Sequence, residues 1–314
     1  MKVVFMGTPD FAVGTLEEIV KAGHEVAAVV TQPDKPKGRG KTLMPTPVKE
    51  AALKYEIPVY QPLKVRAEEF VKVLEGIAPD IIVVAAFGQI ISKEILELPK
   101  YGCINVHASL LPAYRGAAPI QWAVINGDKE SGVTIMQMDA GLDTGDMIDK
   151  VIVPIEKEET GGSLFDKLSI AGAKLCVKVM ADLEAGVAGH IPQPEESTTP
   201  YAKMISKQMG KIDWNRPAKE IEQLVRGLNP WPSAYTSMNG KNLKIWSAEV
   251  LEESESDETQ VGQILRADKN GLLVQTKEGC LNIKELQLEG KKRMDTASFL
   301  RGYPVDAGLT LGDK

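Results

Sequence analysis

Apolar positions in the first half of the chain gather into short unbroken runs, with stretches of helical spacing between them. Lys2–Met6 is one such run and ends at Gly7; Val26–Val30, Ile81–Ala86 and Gly102–Val106 are others. A run without polar alternation is expected of a strand buried on both faces of its sheet. Phe11–Lys21, Val48–Tyr55 and Ala67–Leu74 instead place their apolar residues three and four apart, the helical period. Strand–helix alternation predicts an α/β domain with a mostly parallel sheet and helices on both faces.

The pattern then changes. Val133–Met138 and Met147–Val153 are strand-like and joined by a loop rich in Gly and Asp. Gly162–Glu184 reads as one long helix, stopped by Ala-Gly-Val-Ala-Gly-His. Pro192–Pro200 (PQPEESTTP) has linker composition. Beyond it, Pro217–Arg226 suits a helix, and Asn242–Glu249, Val261–Ala267, Gly271–Thr276 and Cys280–Leu288 are short alternating segments between turn residues. That is the pattern of a small all-β barrel or sandwich. The expected organisation is a first domain over 1–190, a linker over 191–206 and a second domain over 207–314, with Glu249–Glu258 an acidic surface loop.

Composition narrows the class. The 314 residues suit roughly two domains. A formal net charge of −6 argues against a protein that coats nucleic acid non-specifically, but leaves room for a local basic patch. Cys103, Cys176 and Cys280 are scattered, giving neither a disulfide framework nor zinc spacing, and fit a reducing cytoplasm. MKVVFMGTPDF is too short an apolar run for a signal peptide. No stretch approaches the ~18 apolar residues of a membrane span. His24, His107 and His190 lie far apart, so no metal site is expected. Asp139, Asp143 and Asp146 read as loop-shaping groups.

The chemistry concentrates in NVHASLLPAYRGAAP and MQMDAGLDTGD. Asn105 and His107 are two apart on a predicted strand, so they project to one face. Asp143 follows on a Gly-flanked turn. An amide can donate to a developing oxyanion, an imidazole can donate or shuttle a proton, and a carboxylate can fix the ring's tautomer. Such a set suits attack on a carbonyl by a nucleophile brought by a second substrate. Ser109 could share the face of His107, but it lacks the G-x-S-x-G elbow of a serine hydrolase. Gly7-Thr8-Pro9-Asp10 follows the first strand without a GxGxxG pattern, and Pro9 offers no backbone donor, so a tight turn is favoured over a dinucleotide site.

Two segments are basic. Lys35, Lys37, Arg39 and Lys41 fall within seven residues; such a run is usually a solvated loop but can contact a phosphate backbone. Lys291, Lys292 and Arg293 suit a solubilising turn or a nucleic-acid groove. Trp214, Trp231 and Trp246 can fill a core or stack on bases.

GTPDFA, TQPDKPKGRGKTLMPTPVK, GCINVHASLLP, IDWNRPA and RGLNPWPSAY together make the chain resemble the methionyl-tRNA formyltransferases. The resemblance spans the whole length. The NxHxSLLPxxRG core is common to 10-formyltetrahydrofolate-dependent transferases and so speaks to chemistry. The GRGK loop and the IDW…NPWP segment point to the tRNA-modifying members. The resemblance implies a Rossmann-like catalytic domain followed by an OB-like β-barrel that lies along the acceptor stem. It implies a cytoplasmic, monomeric enzyme without metal, with 10-formyltetrahydrofolate as co-substrate and initiator methionyl-tRNA as partner. By motif, Asn105 and His107 would stabilise the oxyanion, while Asp143 would hold His107 and help route the proton. Ser109, Leu110, Leu111 and Pro112 would contact folate, and Phe87, Gly88, Gln89, Ile90 and Asp139 would line the pterin pocket. Lys35, Lys37, Arg39 and Lys41 would reach the tRNA, as would Lys291, Lys292 and Arg293. A folate-dependent transferase acting on a small-molecule amine is the alternative.

Overall fold

A computed structural model describes residues 1–37, 42–251 and 260–312. Arg39, Lys41 and most of the acidic segment Glu249–Glu258 lie outside the described residues. In chain order the elements are β1 (Lys2–Gly7), α1 (Asp10–Lys21), β2 (Glu25–Val30), β3 (Lys35–Lys37), β4 (Thr42–Met44), α2 (Pro47–Lys54), β5 (Val59–Tyr60), α3 (Glu68–Ile77), β6 (Ile81–Ala85), α4 (Lys93–Leu96), β7 (Cys103–His107), α5 (Pro119–Ile125), β8 (Glu130–Gln137), β9 (Met147–Pro154) and α6 (Gly161–Ala185). A 3₁₀ turn, Lys207–Gly210, precedes α7 (Ala218–Gly227), β10 (Ala234–Met238), β11 (Lys241–Leu251), β12 (Ile264–Asp268), β13 (Gly271–Gln275), β14 (Cys280–Leu288), β15 (Met294–Asp295) and α8 (Thr296–Gly302).

The chain divides into two compact units: Met1–Pro119, Glu130–Pro154 and Phe165–Ala202 form the first, and Ile120–Lys129, Ile155–Leu164 and Lys203–Lys314 the second. The first unit is built on a seven-stranded sheet of order β5-β2-β1-β6-β7-β8-β9. Pairings from β5 to β7 are parallel, and β8 and β9 add antiparallel edges. Every residue of β6 is buried, because helices cover a parallel sheet on both sides. One layer of core comprises Val4, Met6, Ile82, Val84, Phe70 and Leu74, among others. Gly172 of α6 lets the helix approach the sheet: a Cβ there would press on Val106 and Val133 at 3.0–3.3 Å.

The basic run is more ordered at its base than a solvated loop. Its arms pair as a two-stranded hairpin, Lys35 opposite Met44 and Lys37 opposite Thr42. Lys49 Nζ donates to Asp34 Oδ2 at 2.7 Å, and Gln61 Nε2 donates to Asp34 Oδ1 at 2.7 Å. The Lys49 hydrogen bond, then that of Gln61, holds the Asp34 carboxyl below the ordinary carboxylate range.

The second unit carries an antiparallel sheet of order β10-β11-β14-β13-β12, with β15 paired to β14. Its core gathers Trp214, Ile221, Leu243, Ile245, Leu281 and Ile283. Trp214 is thus a core residue, and its Nε1 donates to Thr236 Oγ1 at 3.1 Å. Trp246 lies under Arg293, whose guanidinium carbon is 4.6 Å from the ring centre, while Trp231 is exposed. Among the described residues, no helix is long and apolar enough to cross a membrane.

Ile82 is fully buried at the centre of the sheet. Ile82→Ala should destabilise the protein by about 2–5 kcal/mol, read as a lower urea midpoint. A shift under about 0.5 kcal/mol would mean that the strand is not part of a packed core.

Candidate active site

Strand β7 carries the site. It lies between β6, with Val84 opposite Asn105, and β8, with Asn105 opposite Met136 and His107 opposite Thr134. Its two-residue period sets the Asn105 and His107 side chains on one face. His107 is buried and Asn105 half-buried. No hydrogen bond ties down the Asn105 amide among the described residues, so its N–H groups are available to a ligand.

Past His107 the chain turns back on itself. The fully buried Thr134 hydroxyl donates to the Ser109 carbonyl at 2.7 Å and accepts from Leu111 N at 3.1 Å. Ser109 Oγ donates to the Ala113 carbonyl at 2.6 Å. That hydroxyl closes a turn. The reversal brings the Tyr114 carbonyl to His107 Nε2 at 3.1 Å. Tyr114 is in the left-handed region at φ 56°, a conformation costing about 1–2 kcal/mol for an L-residue. Its N–H is anchored on Thr199 Oγ1 at 2.6 Å.

This contact fixes the imidazole. A carbonyl oxygen only accepts, so Nε2 carries a proton. Nδ1 is the nitrogen left for chemistry, and it faces Asp143 Oδ1 at 3.7 Å. That distance is too long for a hydrogen bond. Tyr114 is thus a further partner that orients the ring, and the Asp143 carboxylate stands beside it at ion-pair distance. Asp143 Oδ2 accepts from Gly116 N at 2.9 Å.

The carboxylate arrives by an indirect route. β8 runs antiparallel to β7, and Met138 N bonds Cys103 O at 2.8 Å. The connection to β9 thus starts near the far end of β7 and must fold back to bring Asp143 to His107. Gly145 permits the fold, since a Cβ there would collide with the Gln137 carbonyl. Gln193 Nε2 donates to the Asp143 and Gly145 carbonyls at 3.0 and 2.7 Å. Arg115, buried, donates to Gln193 Oε1 and to the Pro194 and Glu195 carbonyls.

β6 and β7 are neighbours, so the segment after β6 leaves the sheet beside Asn105. Within it, Phe87 is 2% exposed and packs in the core. The Gln89 amide is committed to Val65 N and Pro62 O at 2.7 and 3.1 Å. Phe87 thus serves the core and Gln89 the loop, while Gly88 sits at φ 80° and Ile90 is 66% exposed. Leu110 and Pro112 are half-buried and Leu111 is buried. Asp139 accepts from Thr144 Oγ1 at 2.9 Å and Gly141 N at 3.0 Å, shaping its own turn.

Among the described residues, no hydrogen bond or ion pair draws a basic side chain of these two segments into this site. Lys35, Lys291 and Lys292 are exposed, and Arg293 pairs with Glu285 over Trp246. The described residues hold no group of three or more His, Cys, Asp or Glu able to bind a metal. Sequence reasoning missed Tyr114, Gly116, Arg115 and Gln193. The first two act through backbone atoms, which leave no mark in residue type.

A Formyl transferase family model matches residues 1–180, and a Formyl transferase, C-terminal domain model matches residues 204–304. Among solved structures, WlaRD, a sugar 3N-formyltransferase determined in the presence of dTDP and 5-N-formyl-THF, superposes with a TM-score of 0.67 at 21% identity, covering 93% of this chain and 99% of that one. A variant of HypX from Aquifex aeolicus gives 0.63 at 17%, covering 98% of this chain; the chain spans about half of HypX, 48%. These likenesses are of fold. A methionyl-tRNA formyltransferase of Agathobacter rectalis is 62% identical over 308 residues, covering 98% of each chain. The chain belongs to the methionyl-tRNA formyltransferase family.

Burial pushes the Cys103 and Cys176 thiols up to about 12, so neither offers a thiolate nucleophile near neutral pH. Iodoacetamide should leave both unmodified in the native protein and react only after unfolding, as mass spectrometry would show. Rapid labelling of the native state would contradict this packing.

Proposed function

We propose that this protein transfers the formyl group of 10-formyltetrahydrofolate to the α-amine of methionyl-initiator tRNA, giving N-formylmethionyl-tRNA and tetrahydrofolate. The observation that carries the reading is the meeting of Asn105, His107 and Asp143 around one face of β7. The amine lone pair forms a bond to the formyl carbon, and the bond from that carbon to N10 breaks. One proton leaves the amine and one reaches N10, so the exchange is balanced.

Charge builds on the formyl oxygen during attack. Asn105 supplies an uncommitted neutral donor, the type of group that stabilises an oxyanion. Nε2 of His107 is held by Tyr114, so donation and proton traffic at the ring run through Nδ1. The Asp143 carboxylate stands 3.7 Å from Nδ1, on the side where a proton would pass. The apolar Leu110 and Pro112, with Ile90 and the backbone around Gly88, fit the flat ring system of a folate.

The partner reading rests on charge placement. Lys35 and Lys37 lie on β3, Arg39 and Lys41 follow them in the sequence, and Lys291, Lys292 and Arg293 follow β14. Both segments suit phosphate oxygens. A net charge of −6 is compatible with this, because an RNA would touch only these surfaces.

The purified protein, methionyl-tRNA and 10-formyltetrahydrofolate should yield formylated tRNA. Formylation of free small amines alone would favour the small-molecule alternative, and no product with either would sink the reading. His107→Ala should lower kcat by on the order of 10²–10⁴ with tRNA affinity nearly unchanged. The double change Lys35→Ala and Lys292→Ala should do the reverse, weakening tRNA use while folate binding persists. Affinity for tRNA should fall steeply with salt, since each phosphate contact releases counterions; a flat salt profile would remove the basic segments from the interface.

A further inference from the structure

Residues 193–202 have the composition of a linker, yet they are stitched to the site from end to end. Ser197 Oγ donates to the Pro112 carbonyl at 2.7 Å, Thr199 Oγ1 accepts from Tyr114 N, and Ala202 exchanges backbone bonds with Arg115 and Ala117. Gln193 stands at the head of this strap. Its amide orientation is unambiguous: Oε1 accepts from the Arg115 guanidinium at 3.0 and 3.2 Å, and Nε2 donates to two carbonyls. A guanidinium only donates and a carbonyl only accepts, so a flipped amide would lose every bond. The two carbonyls belong to Asp143 and Gly145, in the connection that must fold back to reach His107. Asp143 is itself at φ 56°, which costs energy unless its surroundings hold it there.

Resting on the formyltransferase reading above, we infer that Gln193, clamped by Arg115, is a positioning residue that holds the backbone of Asp143 so that its carboxylate stands beside His107 Nδ1. Its amide is committed on both sides to protein groups. Its effect therefore belongs to kcat, because it sets where a charge sits during the reaction.

The test is Gln193→Glu in the full chain. A glutamate keeps both acceptor contacts to Arg115, and so keeps the strap, while removing the two donations to the loop. Misplacing a catalytic group by about 1 Å can cost on the order of 10²-fold. We expect kcat to fall roughly 10- to 100-fold, with KM for both substrates and Tm close to wild type. In an Asp143→Asn background, Gln193→Glu should add almost nothing, because the group it positions is already disabled. Should Gln193→Glu not fold, Gln193→Asn, one methylene too short to reach both partners, carries the same comparison. An undiminished kcat, or a fully additive loss on Asp143→Asn, would overturn the inference. If wild type itself does not formylate methionyl-tRNA, the functional reading falls first. If wild type is active and Asp143→Asn slows it while Gln193→Glu does not, only the positioning claim falls.

Discussion

A single backbone carbonyl decides how the site can work. Tyr114 O, returned to β7 by the turn after His107, takes the Nε2 proton of the imidazole. With that nitrogen occupied, the ring has one orientation, and Nδ1 is the only atom left to exchange protons. The turn that delivers the carbonyl depends in turn on Thr134, Ser109 and Thr199, each bonded to main chain. The Ser-Leu-Leu-Pro segment thus acts as the mechanical support of His107.

The other reactive groups are placed by different means. Asn105 needs only the strand, because a two-residue period puts it beside His107. Asp143 needs a fold-back, two glycine-permitted close approaches at Gly116 and Gly145, and a side-chain clamp from Gln193. The strand position is rigid by sheet pairing, whereas the loop position is rigid only through added bonds. That difference explains why a proline-rich segment about 50 residues downstream of Asp143 is bonded so thoroughly to the first unit.

Legibility in the sequence followed burial. β1, β2, β6 and β7 were readable within a residue or so, because a strand buried on both faces is mostly apolar without alternation; in β7 the run is broken only by Asn105 and His107. Helix α6 and the alternating strands of the second unit were readable for the same reason of period. The hairpin β3–β4 was not, since Pro36 and its lysines carry no apolar alternation. Helix α5 is only seven residues long and offers less than two full periods. The strap 193–202 looks like linker in the sequence because PQPEESTTP is polar; its Pro194 and Glu195 carbonyls accept from the Arg115 guanidinium some 80 residues away, which leaves no periodic trace. In the site, Asn105, His107 and Asp143 could be picked out by residue type and spacing. The partner that orients His107 could not, because a carbonyl is present at every position of every chain. Gln89 and Phe87 show the converse: their residue types suited a ligand wall, and packing spent them on the loop and the core.

The account therefore turns on which nitrogen of His107 holds its proton. Nitrogen-15 NMR of the labelled protein, with the His107 signals assigned by their loss in His107→Gln, reads this directly. The expected result is a neutral ring that carries its proton on Nε2. A neutral ring protonated on Nδ1 instead would contradict this, because the Tyr114 carbonyl would then have no donor and the ring no fixed direction.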